Sequence, residues 1–183
     1  YETIDEVQVV GIGATADYGG FVGGLVNVIT KSGANIFHGS LTGTYNDGRF
    51  YWKRYGSRTT NYTYFLDYDY QTSATFSGPI KKEKLFFFLA GGYMAKKYNY
   101  EDISGYTFKR PNYYAKFDYL LKNNTITLLW NSNPAKYDSF TQYNPLSWST
   151  MPSTNHAFLG SWQSILSEVT LFNIRSAVYI DSI

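Results

Sequence analysis

Three stretches of this chain carry residue types that can do chemistry. In "VQVVGIGATADYGG" an apolar run at 7–10 leads into Gly11, Gly13 and Ala16. That is the order strand then G-x-G-x-x-A, which holds a dinucleotide pyrophosphate at the start of a helix. In "DGRFYWKRYGSR" (47–58) the cations Arg49, Lys53, Arg54 and Arg58 mingle with Phe50, Tyr51, Trp52 and Tyr55. Such a mix binds anionic chelates or sugars through charge, forked hydrogen bonds and ring stacking. The third is a set of isolated charges, Asp67, Asp69, Lys116, Asp118 and Arg175, placed along runs otherwise poor in charge.

A dinucleotide site needs a long helix after its glycines, and Gly19, Gly20, Gly23 and Gly24 fall inside that span. Each costs about 1 kcal/mol relative to alanine in a helix interior, so at most a short turn near 14–18 survives. The acidic ribose ligand expected about 20 positions on is also missing, with Lys31 near that place. The glycines suit instead a compact strand–turn–strand unit whose backbones approach closely. His38 and His156 are the sole histidines and neither has a partner at metal-ligand spacing. With no cysteine, disulfides and thiolate metal sites are excluded. No G-x-S-x-G elbow occurs, and Glu101-Asp102 sits beside no acid or base. The expectation is a protein that is no enzyme, with no cofactor and no metal. A net charge of +2 is too mild to imply nucleic acid. The 47–58 mix would suit a single strand, but no second basic patch accompanies it.

The elements that must position these residues show themselves by period two. In "YTYFLDYDYQTSATF" Tyr62, Tyr64, Leu66, Tyr68, Tyr70, Thr72, Ala74 and Phe76 fall on one face. Thr63, Phe65, Asp67, Asp69, Gln71, Ser73 and Thr75 fall on the other. "NYYAKFDYLLK" sets Tyr113, Ala115, Phe117, Tyr119 and Leu121 against Tyr114, Lys116, Asp118 and Lys122. "FNIRSAVYID" sets Phe172, Ile174, Val178 and Ile180 against Asn173, Arg175, Tyr179 and Asp181. "FHGSLTGTY" does the same with Phe37, Leu41 and Tyr45 against His38, Ser40, Thr42 and Thr44. Strands in globular proteins usually run about five or six residues, and these are far longer.

Short links at "KKEK" (81–84), "KNN" (122–124) and "SE" (167–168) alternate with long polar and aromatic segments at 47–61, 101–109 and about 138–153. A membrane barrel has short turns at one rim and long loops at the other. Its strands alternate because one face meets hydrocarbon and the other a polar bore, and the sheet must close to pair every backbone group. Aromatic residues make up 20% of the chain, 19 of them tyrosine, and suit the headgroup layer. Charged residues are only 16%, against about 25% in ordinary soluble domains. A soluble antiparallel sheet with one buried face is the plainer alternative. No apolar run reaches the length of a membrane helix, 85–95 being the longest candidate, and no signal peptide opens the chain. The beginning at "YETIDEV" and the end within a strand-like run suggest a piece of something longer.

"GGLVNVITKSGANIFHGSL" (23–41) closely resembles the plug-to-barrel junction of TonB-dependent outer-membrane receptors. "SGPIKKEKLFFF" (77–88) resembles that family's G-P-I-x-K-x-K-x-F-F-F hairpin, and "WQSILSEVTLFNIR" (162–175) a later hairpin. In the last, Glu168 stands where proline is common, and Phe172-Asn173-Ile174 replaces an acidic version. "IDEVQVVGIGATADYGG" is similar to the plug's final segment, with 16–19 at its S-A-E-Y-G element. The wording is most like Oar-like receptors, which carry a carboxypeptidase-regulatory-like domain at the N-terminus.

The resemblance implies an all-β fold: an antiparallel membrane β-barrel fragment of about seven long strands (37–183), preceded by the C-terminal part of an α+β plug (1–36). Family barrels have about 22 strands around a plugged lumen, so this piece alone neither closes nor transports. The family binds a scarce nutrient outside the cell, commonly a ferric siderophore, cobalamin, a glycan or a peptide. It imports that nutrient when TonB pulls on a box upstream of the plug. Implied partners are outer-membrane lipid, TonB and a small nutrient ligand, with a SusD-like lipoprotein as a candidate and no nucleic acid. The location implied is the outer membrane of a Gram-negative type of cell. Residues 47–58 become the first extracellular loop, with Arg49, Tyr51, Trp52, Lys53, Arg54, Tyr55 and Arg58 as ligand candidates. That loop would equally suit lipopolysaccharide or neighbouring loops. Asp67, Asp69, Lys116, Asp118 and Arg175 become lumen-facing, meeting the plug or water. A passive porin or adhesin barrel and a soluble carbohydrate-binding module are the rival functions.

Overall fold

A computed structural model describes residues 2–10, 25–50, 57–59, 62–100, 106–141 and 144–182. The described residues are almost wholly β-strand, with one 3-10 turn at Gly48–Phe50. Two strands, β1 (Ile4–Val10) and β2 (Leu25–Thr30), pair antiparallel as a small sheet of their own. The glycine turn at 11–24 and any helical turn within it lie outside the described residues.

The remaining strands form one antiparallel meander. Its members in chain order are β3 (His38–Asp47), β5 (Tyr62–Lys81), β6 (Leu85–Tyr100), β7 (Tyr106–Leu121), β8 (Asn124–Ser132), β10 (Asn144–Ser167) and β11 (Thr170–Ser182). Each of the seven lies beside its predecessor along the path. Two short strands extend it, β4 (Ser57–Thr59) on β5, and β9 (Ala135–Thr141) between β7 and β10. Tyrosine, phenylalanine, threonine and valine, which favour a pleated surface, fill these strands. The lengths, 20 residues in β5 and 24 in β10, fit a fragment of barrel wall.

Tight turns close one rim. Lys122 and Asn123 join the paired ends Leu121 and Asn124, with Lys122 at φ 41°. Lys82 to Lys84 join β5 to β6 with Glu83 at φ 62°. Left-handed residues of this kind match the twist of the strands they connect. The opposite connections were expected as long loops. The stretch at 138–153 is instead mostly strand, since β9 and β10 continue pairing from Ser153–Ala135 to Trp148–Phe140. Its tyrosine, phenylalanine, tryptophan and threonine are strand formers, which a polar-loop reading overlooks.

Register fixes two faces. One carries Leu41, Tyr45, Tyr70, Phe76, Leu89, Tyr113, Phe117, Leu128, Phe158, Ile174 and Val178 at mutually paired positions. The other carries Ser40, Thr42, Asp69, Gln71, Ser73, Lys116, Asp118, Thr127, Ser161 and Arg175. Exposure is reversed from a soluble protein, where apolar side chains lead the buried class. Leu41, Leu128 and Val178 on the apolar face are 83%, 58% and 55% exposed, while Lys116 and Asp118 on the polar face are buried.

One strand departs from the expected alternation. Leu66 pairs with Tyr98 and Tyr68 with Lys97, so Asp67 is an extra, unpaired residue in β5. A bulge of one residue exchanges the faces on its two sides. Leu66 therefore does not share a face with Tyr68, Tyr70 and Phe76. Asp67 does not join Asp69 either: its carboxylate lies 2.8 Å from Lys97 Nζ, and Lys97 pairs opposite Tyr68 on the apolar side.

Candidate functional site

The first two sequence landmarks meet in space, and the segment between β2 and β3 is where they do so. Gly33 lies so close to β5 and β6 that a Cβ there would collide with the carbonyl oxygens of Phe87 and Gly78. Two residues on, Asn35 Oδ1 accepts a 2.8 Å hydrogen bond from the Glu83 amide in the β5–β6 turn. Phe37 then stacks on Phe76 at 5.9 Å and leans on Phe87 at 6.3 Å. Its ring occupies the space that a side chain at Gly78 would need. Gly33, Asn35, Phe37 and Gly78 thus clamp the start of β3 to the first hairpin. Each was legible as family wording, but its physical task was not, because the partners lie 39 to 54 positions away: Gly33 to Phe87 is 54, Phe37 to Phe76 is 39.

Deeper on the polar face, Lys116 Nζ donates to Thr30 O at 3.2 Å, Thr30 Oγ1 at 3.2 Å and Ser32 Oγ at 2.8 Å. These three bonds use every proton of the ammonium and bind the β2 end to the wall. Asp118, two residues along the same face, accepts from Thr127 Oγ1 at 2.6 Å. Its other oxygen, Oδ2, lies 3.9 Å from Lys116 Nζ, inside ion-pair range but beyond hydrogen-bond length, and has no donor. Phe88 and Tyr114, in edge contact at 5.9 Å, cover the same patch.

Two cavities lie between β1–β2 and the wall. One of ≈ 640 Å³ is bounded by Asp5, Thr30 and Ser32 on one side and Ser40, Thr75 and Lys116 on the other. A second of ≈ 380 Å³ lies between Glu2 and Thr3 and the polar side chains Thr44, Gln71, Asn112 and Asn131. The β1–β2 unit therefore sits on the polar face and leaves hydrophilic space around it. Amide and hydroxyl groups in such gaps can be satisfied by water or by a polar ligand.

The other candidate residues separate by location. Asp69 lies on the polar face with Lys96 at 2.9 Å, and Arg175 lies there on β11, exposed and paired opposite Ser161. Asp67 departs to Lys97 as described. Arg49 forks onto Asp47, with Nε to Oδ1 at 2.9 Å and Nη2 to Oδ2 at 2.7 Å. Its own amide and the Tyr45 hydroxyl complete the same carboxylate. That carboxylate holds the guanidinium still more firmly protonated than usual. Asp47 and Tyr45 belong to the apolar side, so Arg49 is drawn toward the outer surface and is largely engaged there. Arg58 stands in β4 opposite Thr63. Tyr51, Trp52, Lys53, Arg54 and Tyr55 lie outside the described residues. Among the described residues no three His, Asp or Glu side chains gather as a metal set.

A run of 91 residues, 48% of this chain, is 32% identical to the TonB-dependent transporter Oar of Myxococcus xanthus. The chain spans 9% of that protein's length. No family model matches the sequence, and no solved structure matches it. The similarity to a transporter of this kind agrees with an all-β, two-faced sheet of long strands. No described helix is long and apolar enough to cross a membrane, which says nothing of crossing by strands.

Proposed function

We propose that the chain is a section of a TonB-dependent outer-membrane receptor, a non-enzymatic protein that binds a nutrient outside the cell and imports it. In this reading residues 1–36 finish the plug and 37–183 begin the barrel wall. The observation that carries it is the inverted sheet. Its apolar face is exposed, its polar face is buried around Lys116 and Asp118, and a separate two-stranded unit is hydrogen-bonded to that buried patch.

Physical chemistry supports each part. A wall in lipid keeps every backbone group paired and turns apolar side chains to the acyl chains. Tyr45, Tyr68, Tyr70, Tyr93 and Tyr113 lie on that apolar side toward the long-connection rim, where amphipathic rings suit the headgroup layer. The polar face then borders a bore filled by the plug, with β1–β2 as its last part. Nutrient capture would fall to loop 47–58, whose cations and rings suit an anionic chelate or a sugar. TonB would act on a box upstream of these residues.

Two measurements test this on the intact protein. Fractionation should recover it in the outer membrane; recovery in the soluble fraction would favour a carbohydrate-binding module instead. Uptake of labelled ferric siderophores, cobalamin, glycans and peptides should fall in a deletion strain for at least one of them. That uptake should also vanish without TonB. Uptake that persists without TonB would point to a passive porin.

A further inference from the structure

The three bonds of Lys116 and the vacant oxygen of Asp118 belong together. Lys116 lies between Phe88 and Leu129 on the polar face, directly paired with both, and is itself buried. An ammonium in such a setting is costly when its partners leave. All three of its present acceptors are on Thr30 and Ser32, in the segment that joins β2 to the wall. Were β1–β2 to lift away, the charge would lose them at once. Asp118 Oδ2 waits 3.9 Å from the same nitrogen, buried and without a donor. A small side-chain rotation closes that gap to a charge-assisted hydrogen bond.

We infer that Lys116 is a two-position latch, bonded to Thr30 and Ser32 while β1–β2 is seated and transferred to Asp118 when that unit leaves. In the seated state Asp118 has one unmet oxygen; in the released state the pair satisfies itself. The unmet oxygen raises the energy of the seated state and the new pair lowers that of the released one. Displacement is thereby made easier without weakening the three bonds that hold the unit in register. The inference rests on the plug reading proposed above, since it requires that β1–β2 be displaceable.

The test is hydrogen exchange on the purified full-length receptor in detergent. Amides of β2 and Lys31 bond only to β1 and Thr3, and they report the latch because a released two-stranded unit is marginally stable by itself; amides of β7 and β8 report the integrity of the wall. Lys116→Met should speed exchange in β2 about tenfold or more, because it removes charged hydrogen bonds made only in the seated state. Asp118→Asn should slow it several-fold, because the released lysine then finds no anion. In the double variant the slowing by Asp118→Asn should disappear, the mark of a coupled pair. Ser32→Ala should speed exchange as Lys116→Met does, and it carries the test should the methionine variant fail to fold. A purely structural role would make both single changes speed exchange, and that result overturns the latch. So would equal slowing by Asp118→Asn with and without Lys116. Failure of the transport reading would show as absent uptake, which these exchange rates do not depend on.

Discussion

Gly33 shows how much can hang on one hydrogen atom. Its α-carbon faces two backbone carbonyls, which cannot move aside as a flexible side chain would. Gly33→Ala should therefore lower the unfolding free energy of the intact protein by about 1–3 kcal/mol, as overpacking does. Thermal unfolding followed on unheated gels, where folded and unfolded barrels migrate differently, would register this as a lower midpoint. Asn35→Ala removes the acceptor for the Glu83 amide in an exposed turn, and the expected loss is smaller, about 1 kcal/mol. Equal effects of the two would mean that the close approach at Gly33 relaxes freely. Sequence reasoning found these residues as parts of a motif and set Lys116 and Asp118 on the polar face of their strand, where the register has them. It could not find Thr30, Ser32 or the Asn35–Glu83 bond, because spacing along a chain says nothing of what lies across a gap.

At the level of strands, alternation was legible wherever pairing is regular. In β7 and β11 the two faces read from residue types agree with the register, down to Phe117 against Lys116 and Ile174 against Arg175. The bulge in β5 was hidden because aromatic and polar residues on both sides of Asp67 keep period two in the sequence. One extra residue in the ladder leaves no mark in composition. Two predictions follow from its geometry. Deleting Asp67 removes the extra residue, so the residues on either side should keep their present partners in a regular ladder and the barrel should still fold in normal yield. Asp67→Ala, which keeps the residue count, should also fold normally. The ion pairs beside the bulge should differ as well. Lys97 and Asp67 are 39% and 40% exposed at their side chains, so Lys97→Ala should cost at most about 1 kcal/mol and nothing in high salt. Lys96 and Asp69, 28% and 13% exposed, should be less sensitive to salt. Denaturation at low and high ionic strength separates the two cases.

For the molecule as a whole, the ends of the sheet matter as much as its faces. Among the described residues β3 and β11 each pair on one side only, and β11 is exposed along its entire length. Free edges next to exposed apolar surface recruit other chains. On the receptor reading proposed above, these 183 residues by themselves should therefore form mixed oligomers in detergent, whereas the longer receptor should sediment as one species. A monodisperse isolated piece would argue that its edges are covered in some other way.

The clamp around residues 33–37 has one more consequence, and it concerns force. Any pull on the β1–β2 unit travels along the backbone through Lys31 and Ser32 before it can reach the wall. There it meets Asn35 held by the hairpin turn and Phe37 wedged over Gly78. The load passes into the β5–β6 hairpin, whose ladder hydrogen bonds share it in parallel. The first wall strand, which would otherwise be unzipped bond by bond from its end, is shielded in the way a cable is protected where it enters its housing.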